Sequence, residues 1–272
     1  MTVYLNGRFL AEEHACVSIY DRGFLYGDGL FETIRVFDGE PFLWEDHIAR
    51  LETGCRVLRI VPPLSPREMR VLVLELLRRN ALQEAIVRIA LSRGTGPRGY
   101  SPQGAEHPTL CVALFERPEH TPETYRLVSA SLRLPADDPL PHFIHGNKLR
   151  QVLARAEAED TGANEALMLN ERGEVVEGTT TNIFWVEQSH VCTPPLDGIL
   201  NGTTRAHVLR LCAALGIPSR EKSTTLKKLL RTDGVFVTSS GNGIVEVSEI
   251  DGVKLKRSPV VRQLKRNYHR ST

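Results

Sequence analysis

The chain has 272 residues, enough for one large domain or two ordinary domains that each bury a core. Its 34 Lys and Arg residues nearly balance its 33 Asp and Glu residues, and 41% of the residues are hydrophobic. This composition excludes a disordered chain and a strong electrostatic attraction to nucleic acid or anionic lipid. The sequence therefore predicts a folded, two-domain protein whose partner is a small molecule.

The sequence carries no pattern of a membrane or export segment. No apolar run approaches the roughly 18 residues of a membrane span, and the start, MTVYLNGRFL, lacks the layout of a signal peptide. We therefore expect a cytoplasmic protein. Because the five cysteines are widely spread and form no CxxC pair, we expect ordinary buried thiols, with neither disulfides nor a metal site.

The first half of the chain mixes strand and helix patterns. Alternating residues around the turn Asn6-Gly7 predict a hairpin, and the β-branched segment 31–37 predicts a strand. Apolar residues at helical spacing predict helices over 47–59 and 66–79, followed by a short buried strand. The sequence thus predicts a small N-terminal α+β domain over residues 1–115, in which the short buried strand occupies 85–92.

A polar segment with two prolines, ERPEHTPE, occupies residues 116–123 and predicts a domain linker. Beyond it, residues 124–272 predict a larger C-terminal domain. Short strands separated by turns favour a mostly antiparallel sheet or barrel in this domain. Its predicted elements are a strand over 125–134, a helix from about 147 to 160, and strands at 165–170, 175–176 and 182–186. Apolar spacing marks Leu149, Val152, Leu153 and Ala156 as the buried stripe of that helix.

Three loops, at 177–182, 201–205 and 238–243, are rich in Gly, Ser and Thr. The second leads into a helical pattern over 206–215, so its hydroxyls and N–H groups would lie at a helix N-terminus, where a phosphate is favoured. Taken alone, this loop is explained as well by a capping role for Thr203 or Thr204.

The order of these loops and of the motifs around them resembles the class IV aminotransferases, the fold-type IV group of pyridoxal phosphate (PLP) enzymes. Any one motif is weak, whereas all of them in this order are a strong signal. The resemblance implies a two-domain α/β fold, PLP as cofactor, a small amino acid as substrate and a homodimer. The matching segments are DRG at 21–23, GDGLFE at 27–32, HIARL at 47–51, GANEAL at 162–167, EGTTTNIF at 177–184 and GTTR at 202–205.

The resemblance also implies the residues that hold the cofactor. Glu177 would face the pyridine nitrogen and keep it protonated, which lets the ring accept electrons. Arg50 would bind the phosphate, because a dianion needs a guanidinium fork and several short donors. The remaining residues implied in cofactor binding are Thr181, Asn182, Thr203, Thr204, Ser240 and Gly241.

The substrate side of the resemblance rests on the loop SRGTGPRGYS at 92–101. It resembles 4-amino-4-deoxychorismate lyases more than branched-chain aminotransferases, and it implies that Arg93 and Arg98 bind substrate carboxylates. Phe31 is implied in substrate binding, and Thr33 matches a lyase position whose hydroxyl helps proton transfer. D-Amino-acid transaminases carry a related loop, so transamination of a D-amino acid or a branched-chain amino acid stays open.

The lysine that such an enzyme needs is displaced in this sequence. A PLP enzyme uses a lysine amine to hold the cofactor as a Schiff base and to move the α-proton. Matching Asn147 and Leu149 to the family pattern puts Ile144 at the lysine position, and isoleucine does neither. Lys148 follows four residues later. A helix beginning near residue 145 would separate positions 144 and 148 by one turn, roughly 5 to 6 Å, which a lysine stem can span.

Three interpretations follow from this displacement. In the first, Lys148 is a shifted catalytic lysine and the enzyme is active, which the intact phosphate and ring-nitrogen positions favour. In the second, the site binds PLP without a covalent bond. In the third, the fold has lost the cofactor.

Overall fold

The computed structural model describes residues 1–117, 122–136, 138, 140 and 143–268. The chain divides into two compact units: unit 1 comprises Met1–Glu119 and Phe143–Asn147, and unit 2 comprises His120–His142 and Lys148–Thr272. Much of the predicted linker 116–123 lies outside the described residues, so the linker stays a prediction. Among the described residues no helix is both long and apolar enough to cross a membrane, and no cluster of His, Cys, Asp and Glu is arranged to hold a metal ion.

Unit 1 is built on one six-stranded sheet. Its strands are β1 (Thr2–Leu5), β2 (Arg8–Ala11), β3 (Gly29–Phe37), β4 (Glu40–Pro41), β5 (Ala85–Ser92) and β6 (Thr109–Phe115). Its α-helices are α1 (Arg22–Tyr26), α2 (Trp44–Leu58) and α3 (Pro66–Arg79). The strands lie in the order β2-β1-β6-β5-β3-β4, and all neighbours are antiparallel. The predicted α+β character of this half is confirmed.

The two faces of this sheet differ in burial. Along β5 buried and half-buried residues alternate, as expected for a strand with one face on a core. The buried face packs with apolar residues of α2 and α3, and α3 begins with a capping box between Ser65 and Glu68. The opposite face carries Phe31, Thr33 and Arg88, all three half-buried.

In its described residues, unit 2 contains a nine-stranded sheet and four α-helices. Its strands are β7 (Thr124–Leu134), β8 (Glu165–Asn170), β9 (Val175–Gly178), β10 (Asn182–Glu187), β11 (His190–Thr193), β12 (Ser219–Glu221), β13 (Gly234–Ser239), β14 (Gly243–Ile250) and β15 (Val253–Lys254). Its helices are α4 (Leu149–Asp160), α5 (Thr203–Ala214), α6 (Leu226–Leu229) and α7 (Pro259–Asn267).

Six of these strands close into a barrel in the order β10-β13-β14-β7-β8-β9, because β9 pairs again with β10. The pairs of β7 with β8 and with β14 are parallel, and the other four are antiparallel. At the closure, Asn182 of β10 lies opposite Glu177 of β9 and Thr238 of β13. Barrel closure therefore brings the first and third predicted loops together.

The predicted buried stripe of α4 is wrong. Leu149, Val152 and Leu153 are 70%, 60% and 49% exposed, whereas Ala154 and Ala158 are fully buried. The small alanines let the helix pack closely against β7 and β8, with which they share an apolar cluster. The large apolar residues therefore form an exposed face of α4.

Candidate active site

In unit 2 the second and third loops meet at the start of α5. The Thr203 Oγ1 atom lies 3.5 Å from the Ser240 Oγ atom, and α5 contacts β13. The N-cap residue of α5 is Gly202, and no side chain caps the helix. The alternative capping role for Thr203 or Thr204 is therefore wrong, and both threonines belong to the first helical turn.

Two buried hydroxyls in this region lack hydrogen-bond partners. The Oγ1 atoms of Thr204 and Thr238 are fully enclosed and bond to no described residue. A buried polar group without a partner costs about 1–3 kcal/mol, so native proteins rarely leave one unsatisfied. Together with the N-terminus of a twelve-residue helix, these donors fit a phosphate group. Sequence reasoning placed Thr238 in the third loop but did not name it as a site residue.

Asn182 fixes the turn that precedes α5. Its Nδ2 atom donates to the Leu200 carbonyl at 2.9 Å. Its Oδ1 atom packs so closely on Gly202 that a Cβ atom there would lie only 2.1 Å away. Asn182 therefore shapes the loop that presents Thr203 and Thr204.

Glu177, at the closure of the barrel, has an unusual carboxyl group. Its Oε2 atom accepts a hydrogen bond from the Leu200 N–H at 3.3 Å. Burial raises the pKa of Glu177 to about 7, against the charge of Lys148 and the Leu200 bond, which both lower it. A protonated pyridine nitrogen beside this carboxyl would supply the positive charge that its ionised form lacks. The residue thus fits its predicted role toward the cofactor ring.

Glu165 anchors the loop between β9 and β10. This fully buried carboxylate accepts hydrogen bonds from the N–H groups of Thr179 and Thr180 at 3.1 and 3.2 Å, and from both hydroxyls of these threonines. The Thr181 hydroxyl, also buried, donates to it at 3.4 Å. Sequence reasoning missed Glu165. Its signals were its place in the matching segment GANEAL and its position as an acidic residue at the start of an apolar strand.

Lys148 lies at the N-cap position of α4, half-buried, and its carbonyl accepts from the Val152 N–H. The predicted helix start near residue 145 is wrong, so the one-turn separation between positions 144 and 148 does not hold. Residues 144–146 instead run along β3: the Ile144 carbonyl accepts from the Phe31 N–H at 3.2 Å, and the Gly146 N–H donates to Gly29. Pairing with the end of β3 outweighs helix formation here.

In unit 1, Arg50 is held by Glu32. The Nε and Nη2 atoms of Arg50 donate to the two Glu32 oxygens at 2.8 and 2.7 Å, and His47 Nδ1 lies 2.7 Å from the same carboxylate. Burial acts to raise the pKa of Glu32, but the Arg50 charge and hydrogen bonds keep it below its usual value. The fork orients the guanidinium. Phosphate binding by Arg50 stays a prediction.

The two arginines of the 92–101 loop differ in their surroundings. Arg93 is buried, and its Nε and Nη2 atoms donate to Asp28 at 2.7 and 3.1 Å, with a further bond from Nη2 to the Leu58 carbonyl. This guanidinium already holds an intramolecular carboxylate. Arg98 is exposed. Substrate binding by either arginine stays a prediction.

A third arginine, which sequence reasoning missed, lies beside Thr33 and Phe31. Arg88 of β5 donates from Nη1 to Thr33 Oγ1 at 3.0 Å, and its guanidinium carbon lies 3.3 Å from the centroid of the Phe31 ring. Burial lowers the pKa of Arg88 to about 10, with the charge of Glu32 acting in the opposite direction. The side chain is therefore a cation at neutral pH. In the sequence, Arg88 is marked only by being the one arginine of the apolar strand AIVRIALS.

Comparison with known proteins defines the class. The profile of the family described as Amino-transferase class IV matches residues 29–250. The chain belongs to this family, and its α+β fold with a closed, barrel-like sheet is that of the fold-type IV enzymes.

Individual relatives differ in activity. The chain is 42% identical over 255 residues to a putative branched-chain-amino-acid aminotransferase of Methanocaldococcus jannaschii, covering 93% of this chain and 88% of the relative. It is 32% identical over 255 residues to the aminodeoxychorismate lyase of Bacillus subtilis, covering 92% and 87%. The structure of the T.th. branched-chain amino acid aminotransferase with pyridoxamine 5'-phosphate matches with a TM-score of 0.91 and 29% identity, covering 98% and 92%.

The family, the relatives and the unsatisfied donors of unit 2 point to the same cofactor. This protein is an enzyme of the class IV aminotransferase family that uses PLP and acts on a small amino acid. The predictions of family, fold and cofactor are confirmed.

Proposed function

We propose that this enzyme is a 4-amino-4-deoxychorismate lyase, which splits its substrate into pyruvate and 4-aminobenzoate. The observation that carries the proposal is the hydroxyl of Thr33, a half-buried residue of the unit 1 sheet. Because its oxygen accepts a hydrogen bond from the Arg88 cation, its own proton points elsewhere and is free to be donated. The resemblance assigns proton transfer to this position in the lyases, and the Bacillus subtilis relative is a lyase.

The cofactor-binding residues have two tasks, to bind the phosphate and to keep the pyridine nitrogen protonated. Thr203, Thr204 and Ser240 of unit 2 bind the phosphate and fix the position of the ring. Arg50 is the further phosphate ligand that the family resemblance implies. Glu177 holds a proton at the pyridine nitrogen. When bound, PLP supplies an electron-accepting ring for the charge that develops at the substrate α-carbon. The protein's part is therefore to orient the ring and to move protons.

Lys148 is the proposed amine that bonds to the cofactor and carries the α-proton. It belongs to the same unit as Glu177, and its charge acts on that carboxyl. Ile144, at the position where the family pattern has its lysine, has no group that exchanges protons. Lys148 is thus the residue of this segment with the required chemistry.

The test supplies the PLP-loaded protein with 4-amino-4-deoxychorismate and measures pyruvate and 4-aminobenzoate. We expect both products in equal amounts, since the cleavage needs no second substrate. Thr33→Val should lower the rate at least 10²-fold, in the range of one general acid or base, while Thr33→Ser keeps most of it. Absence of both products would contradict the proposal.

Transamination is the second candidate, favoured by the 42% identity to a putative branched-chain-amino-acid aminotransferase. Its assay offers 2-oxoglutarate with a branched-chain L-amino acid or with a D-amino acid and measures glutamate. Glutamate formation without pyruvate and 4-aminobenzoate from the chorismate substrate would replace the lyase proposal. A protein that binds PLP, forms neither set of products and gives no label on borohydride reduction is the noncovalent relative.

We also propose that the protein is a homodimer. In unit 2, α4 exposes Leu149, Val152 and Leu153 on one face, and in unit 1 Ile19, Tyr20, Phe24 and Tyr100 are 66% to 87% exposed. Large apolar side chains at this exposure are typical of surfaces that a partner covers. Size-exclusion chromatography with light scattering should give twice the 30.4 kDa chain mass. A mass near 30.4 kDa at micromolar concentration would contradict the dimer.

A further inference from the structure

Arg88 has a position unlike that of the other enclosed arginines. In the described part of unit 1, every other buried or half-buried arginine donates to a carboxylate within 2.9 Å. These pairs are Arg22–Asp28, Arg35–Glu84, Arg50–Glu32, Arg70–Glu40 and Arg93–Asp28. Arg88 bonds to no carboxylate there, and its hydrogen-bond partner is the neutral hydroxyl of Thr33. Glu32 is near enough to act on its charge, but both oxygens of Glu32 bond to Arg50.

The free edge of the Arg88 guanidinium has the geometry of a carboxylate site. The Arg88 Nη1 atom donates to the Thr33 hydroxyl, and the Phe31 ring covers one face of the guanidinium. The Nε and Nη2 atoms make no hydrogen bond to a described residue, and neither atom is fully buried. Arg50 and Arg93 use the same two atoms to hold the carboxylates of Glu32 and Asp28. An Arg edge of this kind matches both oxygens of a carboxylate.

We propose that Arg88 binds a carboxylate of the amino-acid substrate through its Nε–Nη2 edge, with Thr33 and Phe31 fixing the guanidinium. This inference rests on the proposed function as an amino-acid enzyme, but it holds for a lyase and for a transaminase. The bound group is either the α-carboxylate or a second carboxylate of the substrate. Both present the same planar anion, and the probes below separate them.

The experiment measures dissociation constants by calorimetry on the PLP-loaded protein. The probes are 4-methylvalerate, which has one carboxylate, glutarate, which has two, and the primary amide of 4-methylvalerate. Arg88→Gln should weaken carboxylate binding about 10- to 100-fold, the range for one charge-assisted pair, and leave the amide unchanged. Equal loss for both acids assigns Arg88 to the α-carboxylate, and loss for glutarate alone assigns it to the second carboxylate.

The matched control is Arg35→Gln. Arg35 follows Thr33 on the same face of the sheet, and its guanidinium already pairs with Glu84. In this variant the dissociation constants of both acids should stay within about twofold of the wild-type values. Arg88→Lys should retain part of the affinity, because lysine keeps the charge but not the forked geometry of the guanidinium. Unchanged acid binding in Arg88→Gln, or no acid binding by the wild type, would overturn the proposal. Visible absorption of bound PLP in each variant shows separately whether the cofactor site is intact.

A second measurement needs no variant. Phenylglyoxal modifies accessible guanidinium groups, and peptide mapping locates the product. We expect 4-methylvalerate or glutarate to protect Arg88 from modification and the amide to give no protection. Equal modification of Arg88 with and without the acids would overturn the proposal even if Arg88→Gln failed to fold.

Discussion

The Lys148 ammonium lies near enough to the Glu177 carboxyl for its charge to lower the pKa of Glu177, against the burial that raises it. The two residues are far apart in sequence but belong to the same unit. Glu177 is the residue implied at the pyridine nitrogen, so an amine beside it is in the neighbourhood of the cofactor ring. This proximity supports Lys148, over a site without a lysine, as the group that replaces the missing family residue.

The first prediction concerns the bond to the cofactor. Borohydride reduction of the PLP-loaded protein followed by peptide mapping should place the pyridoxyl group on Lys148. Lys148→Ala should lose both the label and the visible absorption band while the circular dichroism spectrum stays unchanged. The control is Lys222→Ala, whose ammonium pairs with Glu187. A label on Lys222, Lys227 or Lys228, or full activity of Lys148→Ala, would show the assignment to be wrong.

The second prediction tests the match of Ile144 to the family lysine. In a Lys148→Ala background, Ile144→Lys should regain a borohydride-stable label, now on residue 144. The Ile144 carbonyl is fixed by the Phe31 N–H, so the backbone should tolerate the change. The comparison is Arg150→Lys in the same background, an exposed side chain of α4 that pairs with Asp138, which should gain no label. An unlabelled Ile144→Lys protein would contradict the match.

The third prediction follows from the pKa of Glu177, about 7 in the folded protein against 4.5 ordinarily. The unfolded chain loses this proton near pH 4.5 while the folded protein keeps it, so the free energy of unfolding of the cofactor-free protein falls as pH rises from 4.5 to 7. Glu177→Gln removes this dependence on pH. The free energy of unfolding of the variant, measured relative to wild type, should therefore be about 2 kcal/mol higher at pH 8 than at pH 5.

Urea unfolding at the two pH values measures this difference. The control is Glu187→Gln, because Lys222 lowers the pKa of Glu187 and the sign is reversed. That variant should lose stability relative to wild type at pH 8 and not at low pH. A wild-type pH dependence that Glu177→Gln leaves unchanged would contradict the raised pKa.

The fourth prediction concerns the close approach of Gly202 to Asn182. In Gly202→Ala the new Cβ atom would lie 2.1 Å from Asn182 Oδ1, so the Asn182–Leu200 bond or the start of α5 must shift. We expect a loss of about 1–3 kcal/mol in the free energy of unfolding and weaker PLP binding, since the phosphate donors move. Adding Asn182→Ala should relieve part of the loss. Additive losses in this double-mutant cycle would show that the two residues are not coupled.

The fifth prediction concerns the exposed apolar face of α4. Val152→Lys with Leu153→Lys should convert the proposed dimer to a species of 30.4 kDa in light scattering, without a loss of secondary structure. Arg155→Lys on the same helix, half-buried and paired with Glu159, should leave the mass unchanged. A dimer that survives both lysines would contradict a role of this face in assembly.

The sequence alone determined the elements whose patterns are local. The helix at 66–79 and the strands at 85–92 and 165–170 have the predicted bounds. The helix has an apolar period of 3.6 residues and clear start signals in Ser65 and Pro66, whereas the strand at 165–170 is a short apolar run that is buried throughout. Motif order likewise gave the family, and with it PLP, because spacing along the chain is a sequence property.

Tertiary structure alone decided which groups meet. The apolar residues of α4 do recur at helical spacing, but the sheet covers the alanine side of the helix. Close packing on β7 and β8 requires small residues, and the spacing alone does not say which side is covered. The sequence shows Arg88 only as one arginine in an apolar strand, whereas the β3–β5 register places it opposite Thr33, with its guanidinium over the Phe31 ring. The effect of the Lys148 charge on Glu177 joins the start of α4 to β9, an approach of two separate elements that no local period encodes.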